Sequence, residues 1–266
     1  MNISSVKLIY FSPTQTTRKV IEGIAQGIQT FTVEHIDFTP PDARLRKLPE
    51  LRDELAIIGS PVYGGRLPAE AICRLRRLKG NDTPAVIVVV YGNRAFEDAL
   101  LELRDLVLEE GFKPIAAAAF IGEHSYSNNV TPIAVGRPDE SDLRKADAFG
   151  RMVHEKVRNM PKVEGRSPLH VPGNFPYKEL RILSDISPIT QEALCVKCET
   201  CVFVCPTGAI TVKDAVVTDR SVCLRCCACV KTCSAGARIM EDPGIRQVAQ
   251  QLSINCHARK EPETYI

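Results

Sequence analysis

The sequence predicts an α/β chain: a five-stranded, doubly wound parallel sheet over residues 1–160, followed by a small α+β domain organised by cysteines. Three observations carry this. Short apolar runs recur without polar–apolar alternation, as strands covered on both faces require. Helical patterns separate the later runs and supply the crossovers that parallel pairing needs. Beyond residue 190, eight cysteines fall in two runs of identical spacing.

The first strand is VKLIYF (6–11), followed by the helical stretch TRKVIEGIAQGI. FTVEHIDF (31–38), LAIIGS (55–60), PAVIVVVY (84–91) and KPIAAAAFIG (113–122) give the other four. The later helices are PAEAICRLRRLK, AFEDALLELRDLVLEE and ESDLRKADAFGRMVHEKVRNM; Cys73 reads as a buried apolar thiol and RLRRLK (74–79) as a solvated basic face. Residues 161–191 carry five prolines, the composition of a semi-rigid spacer. Leu169, Val171, Phe175, Tyr177, Leu180 and Ile182 give that spacer the means to wrap against its neighbours rather than swing. The organisation expected is therefore 1–160, a linker over 161–190, the cysteine domain over 191–242, and a C-terminal helix and tail over 243–266.

Composition narrows the function. At 266 residues, 44% apolar and 25% charged, the chain has ordinary globular material for two domains. A net charge of +2 is too small to point to nucleic acid. No apolar run approaches the ~18 residues that span a bilayer. The opening MNISSVKLIYF lacks the charged, apolar and cleavage regions of a signal peptide. A cytoplasmic, reducing setting is expected.

Residues 195–208 read CVKCETCVFVCPTG, and 223–236 read CLRCCACVKTCSAG. Every cysteine of the first run recurs 28 positions later. A C-x2-C-x2-C-x3-C run grips three corners of one iron–sulfur cube and sends its fourth thiolate to a second cube. This assigns Cys195, Cys198, Cys201 and Cys233 to one 4Fe–4S cluster, and Cys223, Cys226, Cys229 and Cys205 to another. A disulfide framework belongs to oxidising compartments, and structural zinc favours separated C-x2-C pairs. Cys227 has no counterpart in the first run, where Glu199 stands, and reads as a neighbour rather than a ligand. Cys256 follows a helical segment near the C-terminus. Residues 191–240 hold six Lys/Arg against four Asp/Glu, a mildly basic shell that favours the reduced cluster. Over roughly 191–240 the chain resembles a bacterial two-cluster 4Fe–4S ferredoxin.

In a doubly wound sheet, ligands bind at the carboxyl ends of the strands. The loop after the first strand, FSPTQTTRK, offers Ser12, Thr14, Thr16 and Thr17 just before a helix, where free N–H groups and the helix dipole favour a phosphate. A hydroxyl-rich N-cap is the alternative. Neither a Walker A run nor G-x-G-x-x-G is present. The loops SPVYGGRLP (60–68) and YGNRAFEDA (91–99) add glycines for close backbone approach and the aromatics Tyr63 and Phe96, either of which can be core or can face a flat ring.

On these loops the chain resembles a flavodoxin across roughly residues 3–160. The resemblance implies FMN, with Ser12, Thr14, Gln15, Thr16 and Thr17 around its phosphate. Pro61, Val62, Tyr63, Gly64 and Gly65, with Tyr91, Gly92, Asn93 and Phe96, would flank the isoalloxazine ring. Gln15 stands where the family commonly has glycine, Phe96 where it has a stacking tyrosine, and the chain has no tryptophan. Arg18 and Arg66 can reach phosphate or flavin, or remain surface charges. His124, Ser125 and Tyr126, in GEHSYSNN (122–129), can approach the flavin or form a surface turn.

The combination resembles proteins that join a flavodoxin-like half to a two-cluster ferredoxin. It implies internal electron transfer between FMN and two clusters, serving ferredoxin-type donors or acceptors. No catalytic residue is assigned, because no dedicated proton donor stands out beyond His124 and Tyr126. The alternative is a reductase whose clusters feed FMN to reduce a small molecule.

Overall fold

The computed structural model describes residues 5–30, 32–48, 50–52, 54–159, 169–180 and 185–266. Phe31 and Met160, and all of 161–168 and 181–184 of the expected linker, including Ile182, lie outside the described residues. Strands β1 (Ser5–Tyr10), β2 (Thr32–Asp37), β3 (Leu55–Pro61), β4 (Thr83–Tyr91) and β5 (Phe112–Ile121) are all parallel. Their order in the sheet is 2-1-3-4-5, the flavodoxin order. β3 and β4 are buried along their whole length, which is why their sequences show no alternation.

Alternate side chains of the central strands feed two cores. Val86 and Val88 face α1 (Thr16–Ile28) and α4 (Glu140–Asn159), whereas Ile87 and Val89 face α2 (Ala69–Leu75) and α3 (Ala99–Glu109). The helices α1 and α4 touch backbone to backbone: a Cβ on Gly27 would stand 1.9 Å from the carbonyl oxygen of Asp147.

The sheet has a sixth strand that the sequence did not announce. β10 (Glu263–Tyr265), at the far end of the chain, pairs antiparallel with β5. It covers an edge strand whose open N–H and C=O groups would otherwise invite pairing with another chain. The expected C-terminal tail is thus part of the first sheet.

The described part of the linker lies along α3 rather than swinging free. Asp98 accepts the backbone N–H groups of Asn174 (2.8 Å) and Lys178 (2.7 Å), and the Tyr177 hydroxyl donates to Asp105 (2.6 Å). Val171 is buried among the side chains of the α3 core.

The cysteine-bearing part repeats itself in backbone as well as in sequence. The helices α5 (Thr200–Phe203) and α6 (Ala228–Lys231) are single turns at equivalent places. Left-handed residues precede both: Lys197 and Glu199 at φ 51° and 60°, then Arg225 and Cys227 at 55° and 57°. Four non-glycine residues in that sparsely populated region, in register with the repeat, mark the same tight cysteine loop built twice. The strands β6 (Ile189–Thr190) and β9 (Arg238–Ile239) pair antiparallel, as do β7 (Ile210–Val212) and β8 (Val216–Thr218). α7 (Pro243–Asn255) begins at an Asp242 cap that accepts the Ile245 N–H, and leads back toward β10.

Candidate functional site

The single-turn helices bring the cysteines of the two runs together in a crossed arrangement. Cys195, Cys198, Cys201 and Cys233 line one small cavity. Cys205, Cys223, Cys226 and Cys229 line another, with Cys227 beside them. All eleven cysteines are free thiols. Among the described residues no three His, Cys, Asp or Glu side chains converge on the geometry of one metal ion. The thiols surround spaces instead.

The two sets differ in exposure. Burial raises the thiol pKa of Cys226 to about 12 and also raises those of Cys223, Cys229 and Cys201. Cys198 is exposed, and a hydrogen bond with the Thr200 hydroxyl lowers it. Cys227, also raised by burial, directs its sulfur to the Arg225 carbonyl at 3.6 Å. Cys73 departs from expectation: it is exposed, because α2 buries Ala71, Arg74 and Leu75 and turns position 73 outward. Arg74, in the stretch read as a solvated face, is wholly buried.

At the carboxyl ends of β1, β3, β4 and β5 lies a cavity of 360 Å³, within the ~300–1,000 Å³ of small-molecule sites. Thr14 and Thr16 line it from the first loop, their hydroxyl oxygens 3.5 Å apart. Pro61, Val62, Tyr63 and Gly64 line it after β3, and Tyr91, Gly92 and Arg94 after β4. The loop after β5 adds Glu123, His124, Ser125 and Tyr126.

Other expected residues support these walls without forming them. Ser12 is buried, its hydroxyl accepting the Arg18 N–H at 3.1 Å. Gln15 takes the left-handed conformation that glycine would take, at φ 63°, and its side-chain amide donates to the Ser12 carbonyl. Thr17 is buried with an unpartnered hydroxyl at the start of α1. Gly65 packs on Glu97, whose carboxylate would lie 2.0 Å from an added Cβ. Asn93 turns away and donates to the carbonyls of Cys256 (2.6 Å) and Ala258 (2.9 Å). Phe96 sits in the core against Tyr91, ring centroids 5.5 Å apart, rather than on the cavity wall. Arg18 pairs with Glu22 and Arg66 with Glu102, which occupies both guanidinium groups away from the cavity.

The ring of His124 lies on Gly92, where an added Cβ would meet Cδ2 at 2.3 Å. Burial, then the charges of Lys231 and Arg94, lower its pKa to about 4. Its Nδ1 accepts the Tyr126 N–H at 3.0 Å, so the neutral ring carries its proton on Nε2.

Nothing in the sequence of the loops announced the rest of the wall. Leu180 arrives from the linker, Leu224 and Arg225 from the second cysteine loop, and Val248 and Leu252 from α7. Leu224 also lines the second cysteine cavity, so one residue borders both spaces. Burial, and next the proximity of Cys226 and Cys227, hold the Tyr63 phenol protonated well above its ordinary range.

Comparison with known proteins gives a family match to the 4Fe–4S binding domain over residues 188–211. These residues are similar to that domain. No curated protein matches the chain. Among solved structures, a flavodoxin from the domain Archaea is 15% identical, covering 58% of this chain and 99% of its own, with a TM-score of 0.37. Flavodoxin 2 from Bacillus cereus is 16% identical over 57% of this chain and 99% of its own, with a TM-score of 0.41. The rubredoxin oxygen:oxidoreductase of Desulfovibrio gigas is 12% identical, at a TM-score of 0.38. The match covers 58% of this chain and 36% of that larger one.

The residues suit the groups that the sequence implied. Each cysteine cavity presents the four thiols of one crossed set, and no histidine lines either. Thiolates packed that closely need a compensating positive centre, which iron supplies. The hydroxyls of Thr14 and Thr16 at a helix N-terminus suit a phosphate, and the unpartnered Thr17 hydroxyl beside them marks a site short of one polar partner. Among the described residues no helix is long and apolar enough to cross a membrane.

Proposed function

We propose that this chain is an electron-transfer protein holding one FMN in the loop cavity and a 4Fe–4S cluster in each cysteine cavity. Electrons would pass between them inside one molecule, on behalf of ferredoxin-type donors or acceptors. When bound, FMN exchanges one or two electrons and each cluster exchanges one. Leu224 carries this reading, because it borders both the second cysteine cavity and the flavin cavity. Arg238 likewise borders both cysteine cavities. The second cysteine cavity therefore adjoins both the flavin cavity and the first cysteine cavity, whose Cys198 is exposed.

The first cysteine cavity also suits a partner. Leu194, Val196 and Phe203 stand 50%, 70% and 76% exposed beside Cys195 and Cys201, an apolar collar for a docking redox protein. At the flavin cavity, Thr14 and Thr16 hold the phosphate. Neutral His124 offers one N–H and accepts one, and so fixes the loop that closes on the ring.

The test is anaerobic stopped-flow with a ferredoxin-type reductant, watching flavin and cluster absorption separately. Flavin reduction at a rate independent of protein concentration is expected once the clusters are filled. A rate that scales with concentration would mean two unconnected carriers on one chain.

A second reading has an observation of its own. A 490 Å³ cavity adjoins the flavin cavity, sharing Ser125 and Tyr126 with it, and the buried Thr131 hydroxyl in its wall has no partner. A small substrate there would make the protein a flavin-dependent reductase. Ala249→Leu narrows that cavity alone. Unchanged transfer between protein donor and acceptor supports the carrier, and loss of turnover with iron and flavin intact supports the reductase.

A further inference from the structure

The internal repeat breaks at one buried position. CPTGAI (205–210) and CSAGAR (233–238) align at the 28-residue offset, placing Ile210 opposite Arg238. Both are 3% exposed, so the same interior position holds an aliphatic side chain in one half and a guanidinium in the other. Packing is satisfied by the first; burying a charge in the second is a cost that packing does not explain.

The surroundings of Arg238 do not neutralise it. Nη1 donates to the Thr190 hydroxyl at 2.8 Å and Nη2 to the Thr218 hydroxyl at 2.9 Å. Nη2 also approaches the sulfur of Cys229 at 3.7 Å. Among the described residues no carboxylate pairs with it. Nε is buried and has no partner at all. A buried cation needs compensating negative charge, and the groups placed to carry it are the two sets of four cysteines, because Arg238 lines both cavities.

We propose that Arg238 is a potential-setting residue shared by the two clusters, its charge and its unpaired N–H serving cluster sulfur on both sides. This rests on the two-cluster reading above. Reduction adds one negative charge to a cluster, so a fixed cation between the two favours the reduced form of each. Hydrogen bonds to cluster sulfur act in the same direction. The cation is a device for raising both potentials at once, and the repeat alone, with isoleucine at both positions, would lack it.

Arg238→Ile restores the symmetry of the repeat with the residue the other half already uses, and Arg238→Lys keeps the charge. Redox titration followed by EPR should show both clusters of the isoleucine variant at least tenfold harder to reduce, a drop of 59 mV for one electron. The lysine variant should recover most of that change, which a purely structural role would not produce. Full iron with both potentials unmoved in the isoleucine variant would overturn the assignment. If that variant loses its iron, pulsed EPR of the wild-type protein grown with 15N-labelled arginine decides. Nitrogen couplings on both reduced-cluster signals are expected, and their absence from both overturns the proposal. A wild-type iron content well short of about eight per chain sinks the two-cluster reading instead, and is seen before any variant is made.

Discussion

Nη2 of Arg74, on α2 of the sheet domain, donates to the carbonyl oxygen of Pro206 in the first cysteine run at 2.6 Å. The same guanidinium donates to the carbonyls of Phe38, Thr39 and Pro40, and pairs with Glu70. One wholly buried side chain thus fastens a sheet-edge loop to the residue after Cys205.

Replacing Arg74 with methionine should be costly in stability and in geometry. Several carbonyls and one carboxylate lose their donor together, and breaking a buried pair costs about 3–5 kcal/mol. Denaturant unfolding should show that loss. Flavin reduction through the clusters should slow in the refolded variant, because the cysteine loop is no longer pinned to the sheet.

If ligation is crossed as proposed, the cysteines should have distinct fates. Cys205→Ala should damage the cluster held with Cys223, Cys226 and Cys229 and leave the other EPR signal in place. Cys227→Ala should leave both signals, since that sulfur is turned to the Arg225 carbonyl. Iron analysis and EPR of the two variants read this directly, and an essential Cys227 would mean that the register of the second run is misread.

Of the hydroxyls in the first loop, those of Thr14 and Thr16 line the 360 Å³ cavity proposed to hold FMN. Removing both should weaken FMN far more than riboflavin, which has no phosphate. Each hydrogen bond to a charged group is worth about 1.5–3 kcal/mol, so the double change should cost two or more decades of FMN affinity. Fluorescence titration with the two flavins compares them, and equal losses would deny the loop its phosphate.

His124 makes stability pH-dependent. Its folded pKa of about 4 lies below its ordinary 6.5, so the fold disfavours the charged ring. Above pH 6.5 the group contributes nothing to the pH dependence. As pH falls from 6.5 toward 4 the unfolded chain takes up the proton first, and stability declines, by something of the order of 3 kcal/mol in all. The neighbouring Lys231, paired with Glu123, and Arg94 reinforce the effect. Denaturant midpoints between pH 7 and 4.5 should fall, and His124→Asn should flatten that part of the profile.

Truncation before Cys256 should expose the β5 edge. It removes β10, both acceptors of Asn93, and the 2.6 Å pair between Arg259 and Asp139. At about 0.5–1.5 kcal/mol per net hydrogen bond, several kcal/mol should be lost. Sedimentation should also show association, because the strand FKPIAAAAFI is apolar and would be left unpaired along one edge.

The sequence by itself determined the strands, helices and cysteine loops, because local pattern encodes them. Doubly buried strands read as unbroken apolar runs, crossover helices read as periodicity, and a loop that grips a cube needs its cysteines at fixed spacing. It also named the strand ends where a cavity would open. What it left undecided depends on contacts between residues far apart in the chain, where short-range pattern has no purchase. Position 74 looks like one more surface arginine until Phe38 and Pro206 close over it. Phe96 and Asn93 sit in a loop that points at the cavity, yet the core takes one and the C-terminal tail the other. The wall formed by Leu224, Val248 and Leu252, and the strand that residues 263–265 add to the first sheet, exist only once the chain has returned on itself. Arg238 joins both cases: its place in the repeat is visible in the sequence, but only packing puts it between the two sets of thiols.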